Sequence, residues 1–442
     1  MVDNKYEKSM RKLVITNVGP ITQTATIEYE RFCILIGPQS NGKSTIAKIL
    51  STCMWLEKEA CTTLNKNVVK DGAAFKQLVE DFHRMHNYIH PNKSIIEYYS
   101  PFVKITYNKG DFSMSFNNYH SYDRLKITYV PSDRNVVTMK DIEKRDMEPT
   151  NFRSFLFDWL ETNRNYDSKH KAKILNLGIK YYFNAEAKER MDMLTHENGV
   201  TYDIPLYDAS SGMQSLVPMN VLMHYLVTDY FDNYGKSVSF EQQQKNVKLA
   251  WEIVREITTK IYPEEVKQKD IKTVYNDLIK SKADEGDLKA KEIVVEMNRL
   301  YRRLLTPKSI SFILEEPEQN LFPSTQVVLF NDIINLCNSP HPSSVFITTH
   351  SPYLLAAANI LLFMGMMREL GVEMKQLKVL RSFNTLIKKG EFTAYSVSEG
   401  TCRSIIDDET GLIKENELDT ASDYNAEVFD SLYQLYVQKL RS

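Results

Sequence analysis

Cysteine is scarce in this chain of 442 residues. The sequence contains five cysteines, an odd number with no Cys-x-x-Cys pair: Cys33, Cys53, Cys61, Cys337 and Cys402. This spacing excludes a zinc ribbon and makes a disulfide framework a poor interpretation. We therefore expect a reducing compartment, the cytoplasm.

Long apolar runs are also missing. The first 20 residues carry charges but lack the apolar stretch of a signal peptide. The longest apolar segment, LLAAANILLFMGM at 354–366, falls short of the roughly 18 residues that a membrane helix needs, so we predict a buried helix there and no membrane partner.

A strong net charge is absent as well. The chain has 55 Lys and Arg against 57 Asp and Glu, which gives a net charge of −2. A surface that binds nucleic acid, if this chain has one, must therefore be a local patch. The composition is otherwise that of a globular protein, with 43% hydrophobic residues, and the length suggests two or three domains at about 150 residues each.

The hydrophobic pattern predicts a mixed α/β chain. We expect strands within 12–36, a hairpin around Lys109–Asp111 and helices from Ser44 and after ASSGMQS. The other predicted strands lie at 125–134, 200–208, 309–314 and 344–349, and the other predicted helical stretches at 72–99 and 151–195. Within 236–305, apolar residues recur every four positions at Leu249, Ile253, Ile257 and Ile261. That stretch is either two antiparallel helices, as in a short coiled-coil arm, or a plain solvated helical face.

The strongest motif is GPQSNGKST, from Gly37 to Thr45, which fits G-x-x-x-x-G-K-[ST] directly after an apolar strand and at the start of a helix. Glycines let such a loop curl its N–H groups towards phosphate oxygens. Lys43 would add a cation at the β- and γ-phosphates, and Ser44 a hydroxyl for Mg²⁺. The alternative is a chance match in a Gly/Ser loop.

Two adjacent acids, Glu315 and Glu316, end the apolar strand SISFIL. Beside a P-loop, one carboxylate can hold hydrated Mg²⁺ and the other can deprotonate the attacking water. The alternative is a solvated acidic turn. His350 ends a similar strand, SVFITT, where its imidazole could contact a γ-phosphate or the water, although a lone histidine is more often structural. The segment ASSGMQS (209–215) is at least a helix N-cap and could also bind phosphate.

Taken in order, these motifs resemble those of ABC-type ATPases. EEPEQNLFP and TTHSPYLL look like the branch that includes the OLD family and the ATPase subunits of anti-phage systems such as PARIS and Septu. The resemblance implies an α/β P-loop core of the SMC/RecF/OLD-like kind, with an antiparallel β subdomain and a helical or coiled-coil insertion, that binds ATP and Mg²⁺. It assigns Walker A, Walker B, the switch histidine and a signature motif that reaches the opposite protomer's γ-phosphate. The implied site residues are, for the nucleotide, Gly37, Pro38, Asn41, Gly42, Lys43, Ser44, Thr45, Ser210, Ser211, Gly212 and Gln214; for the metal, Ser44 and Glu315; and for catalysis, Glu316 and His350.

With this resemblance, the chain divides into five predicted segments. Residues 1–135 and 306–400 would form lobe I, and 136–235 a helical lobe II that carries the signature. Residues 236–305 would be the insertion and 401–442 a C-terminal tail. The chain departs from the family pattern at Glu315, where an Asp is usual, and that difference could slow hydrolysis. No glutamine stands out as the Q-loop residue.

Three further features have a structural interpretation as well as a functional one. Arg134, in PSDR, could face a γ-phosphate or an interface, or be an ordinary surface residue. His83, His86 and His90 have a helical spacing that could hold a metal, but no carboxylate or cysteine clusters with them. Asp407, Asp408 and Glu409 resemble nuclease acids, yet about forty residues after position 400 are too few for the nuclease domain of the larger OLD-family enzymes, so we favour a turn.

The function predicted from the sequence is an ATPase that forms a homodimer or higher homo-oligomer around nucleotide. It would control a separately encoded effector, a nuclease, in anti-phage defence, in response to a phage-derived trigger. The alternative is a DNA-binding repair ATPase of the RecF/SMC type, for which nucleic acid would be a direct partner.

Overall fold

The computed structural model describes residues 10–63, 65–186, 191–237, 240–268, 270–305, 307–341, 343–377, 385–414, 418 and 427–433. These residues form three β-sheets and a set of helices. In the described ranges, no helix combines the length and the apolar character needed to cross a bilayer.

The central sheet has six strands in the order β15-β14-β3-β13-β12-β7. Its strands are β3 (Phe32–Ile36), β7 (Leu125–Val130), β12 (Ser309–Glu315), β13 (Ser343–Thr348), β14 (Phe392–Ser398) and β15 (Thr401–Ser404). Neighbouring strands are parallel except for the β14–β15 pair. All five residues of β3 are buried, as expected for a strand covered on both faces. The segment predicted as a C-terminal tail from 401 thus begins with an edge strand of this sheet.

The second sheet is an antiparallel β subdomain in the order β2-β1-β4-β5-β6. Its strands are β1 (Arg11–Thr16), β2 (Ala25–Tyr29), β4 (Ile95–Tyr99), β5 (Val103–Asn108) and β6 (Asp111–Phe116). The predicted hairpin is confirmed by the β5–β6 pair. The prediction of one helical stretch over 72–99 was wrong. The helix ends at His83, because Arg84 adopts a left-handed C-cap, and β4 follows.

The third sheet corrects the prediction of a helical lobe II. Residues 151–195, predicted as helical, contain one helix followed by two strands and most of a third, and a fourth strand beyond residue 195 completes a sheet in the order β11-β10-β9-β8. The strands are β8 (Ala172–Lys173), β9 (Ile179–Asn184), β10 (Met191–His196) and β11 (Tyr202–Pro205). Buried aromatic residues such as Tyr181 pack this sheet against the preceding helix through Trp159, a cross-element contact that local periodicity does not reveal.

The helices cover both faces of the central sheet and build the insertion. They are α1 (Lys43–Thr63), α2 (Gly72–His83), α3 (Asn151–Asn163), α4 (Ser211–Thr228), α5 (Tyr230–Ser237), α6 (Phe240–Ile261), α7 (Pro263–Gln268), α8 (Ile271–Thr273), α9 (Lys280–Asp284), α10 (Leu288–Leu305), α11 (Pro323–Cys337), α12 (Pro352–Glu369) and α13 (Met374–Leu377). A π-helical segment, Val274–Ile279, joins α8 to α9. The run at 354–366 lies within α12, as predicted.

The insertion has its own apolar core. Helices α6 and α10 pack against each other. Val254 of α6, Ile279 of the π-helical segment and Leu300 of α10 are among the buried residues that form a cluster separate from the two cores of the main body. The interpretation as packed helices is therefore confirmed over a plain solvated face. Ile253 is buried in this core, and Ile257 and Ile261 pack against it, whereas the side chain of Leu249 lies outside the described residues.

Candidate nucleotide-binding site

The loop between β3 and α1 has the shape that a P-loop requires. Gly37 and Gly42 have φ values of +137° and +102°. A Cβ atom would lie 2.2 Å from the Val397 carbonyl oxygen at Gly37 and 2.6 Å from the Ile21 side chain at Gly42. Glycine is therefore required at both positions. Lys43 is 5% exposed, and its Nζ donates to the carbonyls of Gly37 (2.8 Å) and Pro38 (2.9 Å), so the ammonium group lies inside the loop.

Three parallel strands end at the same edge as this loop. Strand β13 lies between β3 and β12. Beyond the strand ends, the Thr349 N–H donates to the Leu35 carbonyl (2.9 Å), and the Glu316 N–H donates to the Thr348 carbonyl (2.8 Å). The P-loop, the paired acids and His350 therefore come together at the carboxyl edge of the sheet, where ligands bind in open α/β folds.

Glu315 is 4% exposed and is held by two hydrogen bonds. Its Oε1 accepts from the Tyr129 hydroxyl at 2.5 Å, and its Oε2 accepts from the Ser132 N–H at 3.2 Å. Tyr129 belongs to β7 and Ser132 follows that strand, so these bonds fix the Glu315 side chain against the neighbouring strand of the sheet. Each carboxylate oxygen keeps a second lone pair, so Glu315 can still hold a metal-bound water.

Glu316 is the more accessible acid, with its side chain 33% exposed. Its backbone has φ +43°, a left-handed conformation that is strained for a non-glycine residue. Its Oε1 lies 3.6 Å from His350 Nε2. The nearby His350 lowers the pKa of Glu316 against the opposing effect of partial burial, and Lys43 and Arg134 lower it further.

A third acid in this turn, Glu318, was missed in the sequence. It is 9% exposed, and its Oε1 accepts from the Thr349 hydroxyl (2.6 Å) and the His350 N–H (2.8 Å). Its Oε2 has no hydrogen-bond partner within the described residues. Burial raises the pKa of Glu318, and the hydrogen bonds oppose that shift. The signal in the sequence was a third carboxylate three residues after Glu315.

Arg134 is neither a surface residue nor one that faces an interface, because its relative exposure is 0%. It begins a short 3₁₀ helix, Arg134–Thr138, after β7. Within the described chain, its guanidinium donates to backbone carbonyls, including those of Glu315 (2.9 Å) and Glu316 (2.8 Å) in the acidic turn. Burial lowers the pKa of Arg134 to about 10, although nearby carboxylates raise it.

The segment predicted as the signature forms the start of α4. Ser210 is its N-cap, accepting from the Met213 N–H at 3.4 Å, and Ser210 and Ser211 are exposed. Gln214 does not face solvent as a ligand would, because its Nε2 donates to the carbonyls of Tyr207 (2.8 Å) and Ala209 (3.0 Å). Gly212 is buried, and a Cβ there would lie 2.7 Å from the Asn320 carbonyl oxygen. A contact with another protomer's γ-phosphate stays a prediction.

The remaining predicted site residues lie around the P-loop. Asn41 is half-buried in the loop, and its Nδ2 donates to the Gln39 carbonyl at 3.2 Å. Ser44 is half-buried and Thr45 is buried in the first turn of α1. The oxygens of Ser44 and of the two acids are hard donors of the kind that Mg²⁺ prefers. Loop, lysine and oxygen donors therefore fit ATP with Mg²⁺.

The histidine cluster and the acidic triplet do not form sites. His83 is buried, whereas His86 and His90 are exposed, so the three rings do not share a face. Within the described ranges, no group of three or more His, Cys, Asp or Glu could hold a metal ion. Asp407 lies in a turn, where its Oδ1 accepts from the Thr410 N–H (2.7 Å) and hydroxyl (2.8 Å).

Strand order, P-loop and motif placement define an α/β fold that combines a central, mostly parallel sheet with an antiparallel β subdomain and a helical insertion, as predicted. No protein-family model and no curated protein matches the chain. Among solved structures, it is similar to the SMC head domain from Thermotoga maritima (9% identity, TM-score 0.36, covering 90% of this chain and 98% of that one). It is also similar to the Smc head domain with an extended coiled coil derived from Pyrococcus furiosus (10%, 0.35, 95% and 99%). The third similarity is to the recombination mediator protein RecF-ATPrS (8%, 0.30, 90% and 99%).

Proposed function

We propose that this chain binds ATP at the carboxyl edge of its central sheet and hydrolyses it to ADP and phosphate. The loop N–H groups and Lys43 would hold the β- and γ-phosphates. Ser44 and Glu315 would hold a hydrated Mg²⁺, which neutralises phosphate charge. Glu316 would accept the proton of the water that attacks the γ-phosphorus, and His350 would orient Glu316 and the water.

The observation that carries this proposal is the meeting of three chemically distinct groups at one sheet edge. Lys43 lies in the loop, and the Glu316 carboxylate lies 3.6 Å from the His350 imidazole. The lowered pKa of Glu316 keeps its carboxylate deprotonated at neutral pH, as a general base must be.

The same proposal includes a two-fold dimer. Ser210 and Ser211 are exposed at the N-terminus of an 18-residue helix, where hydroxyls and N–H groups favour an anion. In an isologous pair, each copy would present these groups to the nucleotide held by the other copy's P-loop. ATP would then close the pair, and hydrolysis would release it.

The proposed output is control of a separately encoded effector, a nuclease, in anti-phage defence. The supporting observation is that α10 of the insertion packs against α1, the helix that begins at Lys43. A change at the phosphates therefore has a direct structural route to a module with its own core. A partner protein on that module, and a phage-derived trigger, would complete the system.

Two measurements on the purified chain test this function. The first is phosphate release from ATP with Mg²⁺, which we expect to be slow and to fall by a further factor of about 10²–10⁴ in Glu316→Gln. The second is co-purification with the product of the adjacent gene, where we expect a nuclease. Cutting of DNA or RNA by this chain alone would contradict effector control. ATP-dependent DNA binding with a steep salt dependence would instead favour the RecF/SMC-type alternative.

A further inference from the structure

Arg134 makes an unusually large set of hydrogen bonds for a single buried side chain. Its Nε donates to the Ser215 carbonyl at 2.9 Å. Its two terminal nitrogens donate to the carbonyls of Pro131 (3.3 Å), Glu315 (2.9 Å), Glu316 (2.8 Å) and Pro317 (3.3 Å). A planar fork with five N–H groups can satisfy acceptors spread in this way, whereas a lysine ammonium is a single point of charge.

These carbonyls belong to two parts of the site. Those of Glu315, Glu316 and Pro317 belong to the turn of the paired acids, and that of Ser215 lies in the second turn of α4, whereas the fifth, that of Pro131, belongs to the segment of Arg134 itself. A second contact joins the same two parts, because Gly212 packs beneath the Asn320 carbonyl with no space for a Cβ. The start of α4 and the acidic turn are therefore held together within one copy of the chain.

The acidic turn needs such support because Glu316 is strained. A non-glycine residue at φ +43° is strained, and the conformation persists only where its surroundings impose it. Arg134 bonds the Glu316 carbonyl on one side of the turn. On the other side, Glu318 bonds the Thr349 hydroxyl and the His350 N–H, which fixes the loop that carries the imidazole.

We propose that Arg134 is a positioning residue that sets the orientation of Glu316 and ties it to the start of α4. Glu318 complements it by holding His350 against the same turn. Neither side chain needs to touch nucleotide for this role. The proposal rests on the ATPase function proposed above and adds a consequence: a displacement of α4 by a second copy of the chain displaces the residue that accepts the proton.

The first test is the Arg134→Lys variant, which keeps the charge but loses the fork. We expect the turnover number to fall about 10- to 100-fold, since a small misplacement of a catalytic group has effects of this size. We expect the dissociation constant of ATP to change by less than about threefold, because Lys43 and the loop are untouched. Loss of ATP binding together with turnover, or unchanged turnover, would overturn the proposal.

The matched control is Arg11→Lys. Arg11 is a second arginine that lies largely inside the molecule, with its side chain 14% exposed, but its partners, Glu57 in α1 and Tyr98 in β4, lie away from the acidic turn. We expect a lower melting temperature for Arg11→Lys and a turnover number within about twofold of wild type. Equal losses of turnover in both variants at matched stability would show general damage, which contradicts a positioning role.

Glu318 gives an independent pair of variants should Arg134→Lys fold poorly. Oε1 accepts both hydrogen bonds, so Glu318→Gln can keep them, whereas Glu318→Leu removes them. We expect turnover near wild type for Glu318→Gln and about a tenfold or larger loss for Glu318→Leu, with ATP affinity retained in both. An equal loss in the two variants would contradict positioning through these bonds.

A double-mutant cycle separates this proposal from the function on which it rests. If Arg134 acts through Glu316, Arg134→Lys has little further effect on turnover in a Glu316→Gln background. Multiplying losses would show that Arg134 acts elsewhere and would overturn the positioning role. Normal turnover in Glu316→Gln alone would instead refute the proposed base, a result distinguishable from failure of the Arg134 proposal.

Discussion

Arg134 at the carboxyl edge of the central sheet is fully buried, and Arg11 in the β subdomain is largely buried, with its side chain 14% exposed, but their partners differ in kind. Arg11 pairs with the Glu57 carboxylate at 3.2 Å and with the Tyr98 hydroxyl at 3.1 Å. Arg134 instead donates to a set of backbone carbonyls. In the β subdomain a single carboxylate neutralises the charge of Arg11. At the sheet edge several carbonyl dipoles share the charge of Arg134.

The pKa values follow this difference. Burial disfavours the charged form of both arginines, but Glu57 raises the pKa of Arg11 well above its ordinary value. The pKa of Arg134 falls to about 10, because Glu318, Glu316 and Glu315 offset burial only in part. Both arginines stay charged at neutral pH. The ion pair of the β subdomain therefore serves stability. At the sheet edge, Arg134 donates to the backbone carbonyls of Glu315 and Glu316, so their carboxylates stay available for chemistry.

The largest effect that we expect lies at the sheet edge. Glu316→Gln should lower turnover by about 10²–10⁴, the usual contribution of a positioned general base, and should leave ATP binding intact. Phosphate release and nucleotide titration measure the two quantities. Glu28→Gln, at an exposed carboxylate that binds Lys12, is the control and should have no effect. Undiminished turnover in Glu316→Gln would show that the base is misassigned.

The corresponding change in the β subdomain should affect stability and not turnover. Arg11→Met leaves the fully buried Glu57 without its cation, and we expect a loss of about 3–5 kcal/mol in the free energy of unfolding. Urea denaturation measures the loss. The double variant Arg11→Met, Glu57→Gln should recover part of it, since no unpaired charge remains. A loss below about 1 kcal/mol in the single variant would show that the Arg11–Glu57 pair contributes little to stability, and the proposed difference between the two regions would then be wrong.

The Lys43→Ala variant tests whether ATP binds at the carboxyl edge of the central sheet. Removing the ammonium group leaves phosphate charge uncompensated, so we expect ATP affinity to fall at least about 100-fold, or about 2.7 kcal/mol. Titration calorimetry compares it with Lys12→Ala on the β subdomain, where affinity should not change. Equal affinities in the two variants would mean that nucleotide binds elsewhere.

The smallest effect concerns His83, whose ring lies 5.5 Å from that of Tyr129. Burial lowers the pKa of His83 to about 3. Because an unfolded histidine binds a proton near pH 6.5, acid favours unfolding, and stability is lost as pH falls from 6.5. Relative to His83→Leu, wild type should lose about 2 kcal/mol in the free energy of unfolding when the pH falls from 6.5 to 5. The free energy of unfolding of His86→Leu, at an exposed position, should change with pH as that of wild type does. If wild type and His83→Leu differed in stability by the same amount at every pH, a lowered pKa for His83 would be contradicted.

The sequence predicted the sheet edge better than the rest of the molecule for a physical reason. Strands such as β3 and β12 are buried on both faces, so they read as apolar runs, and the residues that follow them must share an edge. The sheet of β8–β11 depends on contacts between distant residues such as Trp159 and Tyr181, which no local pattern reports. Arg134 could be found in the sequence, but its role could not, because four of its five carbonyl partners belong to segments 81 to 183 residues away.

Complementation between two inactive variants tests most directly whether two copies share one nucleotide. Lys43→Ala removes the P-loop cation, and Ser211→Arg blocks the exposed start of α4 in a second sample. Mixed pairs would contain one intact composite site, so a 1:1 mixture should regain about one quarter of wild-type turnover. If Ser211→Arg alone hydrolyses ATP at the wild-type rate, or if the mixture stays inactive while mixed pairs form, the composite site is contradicted.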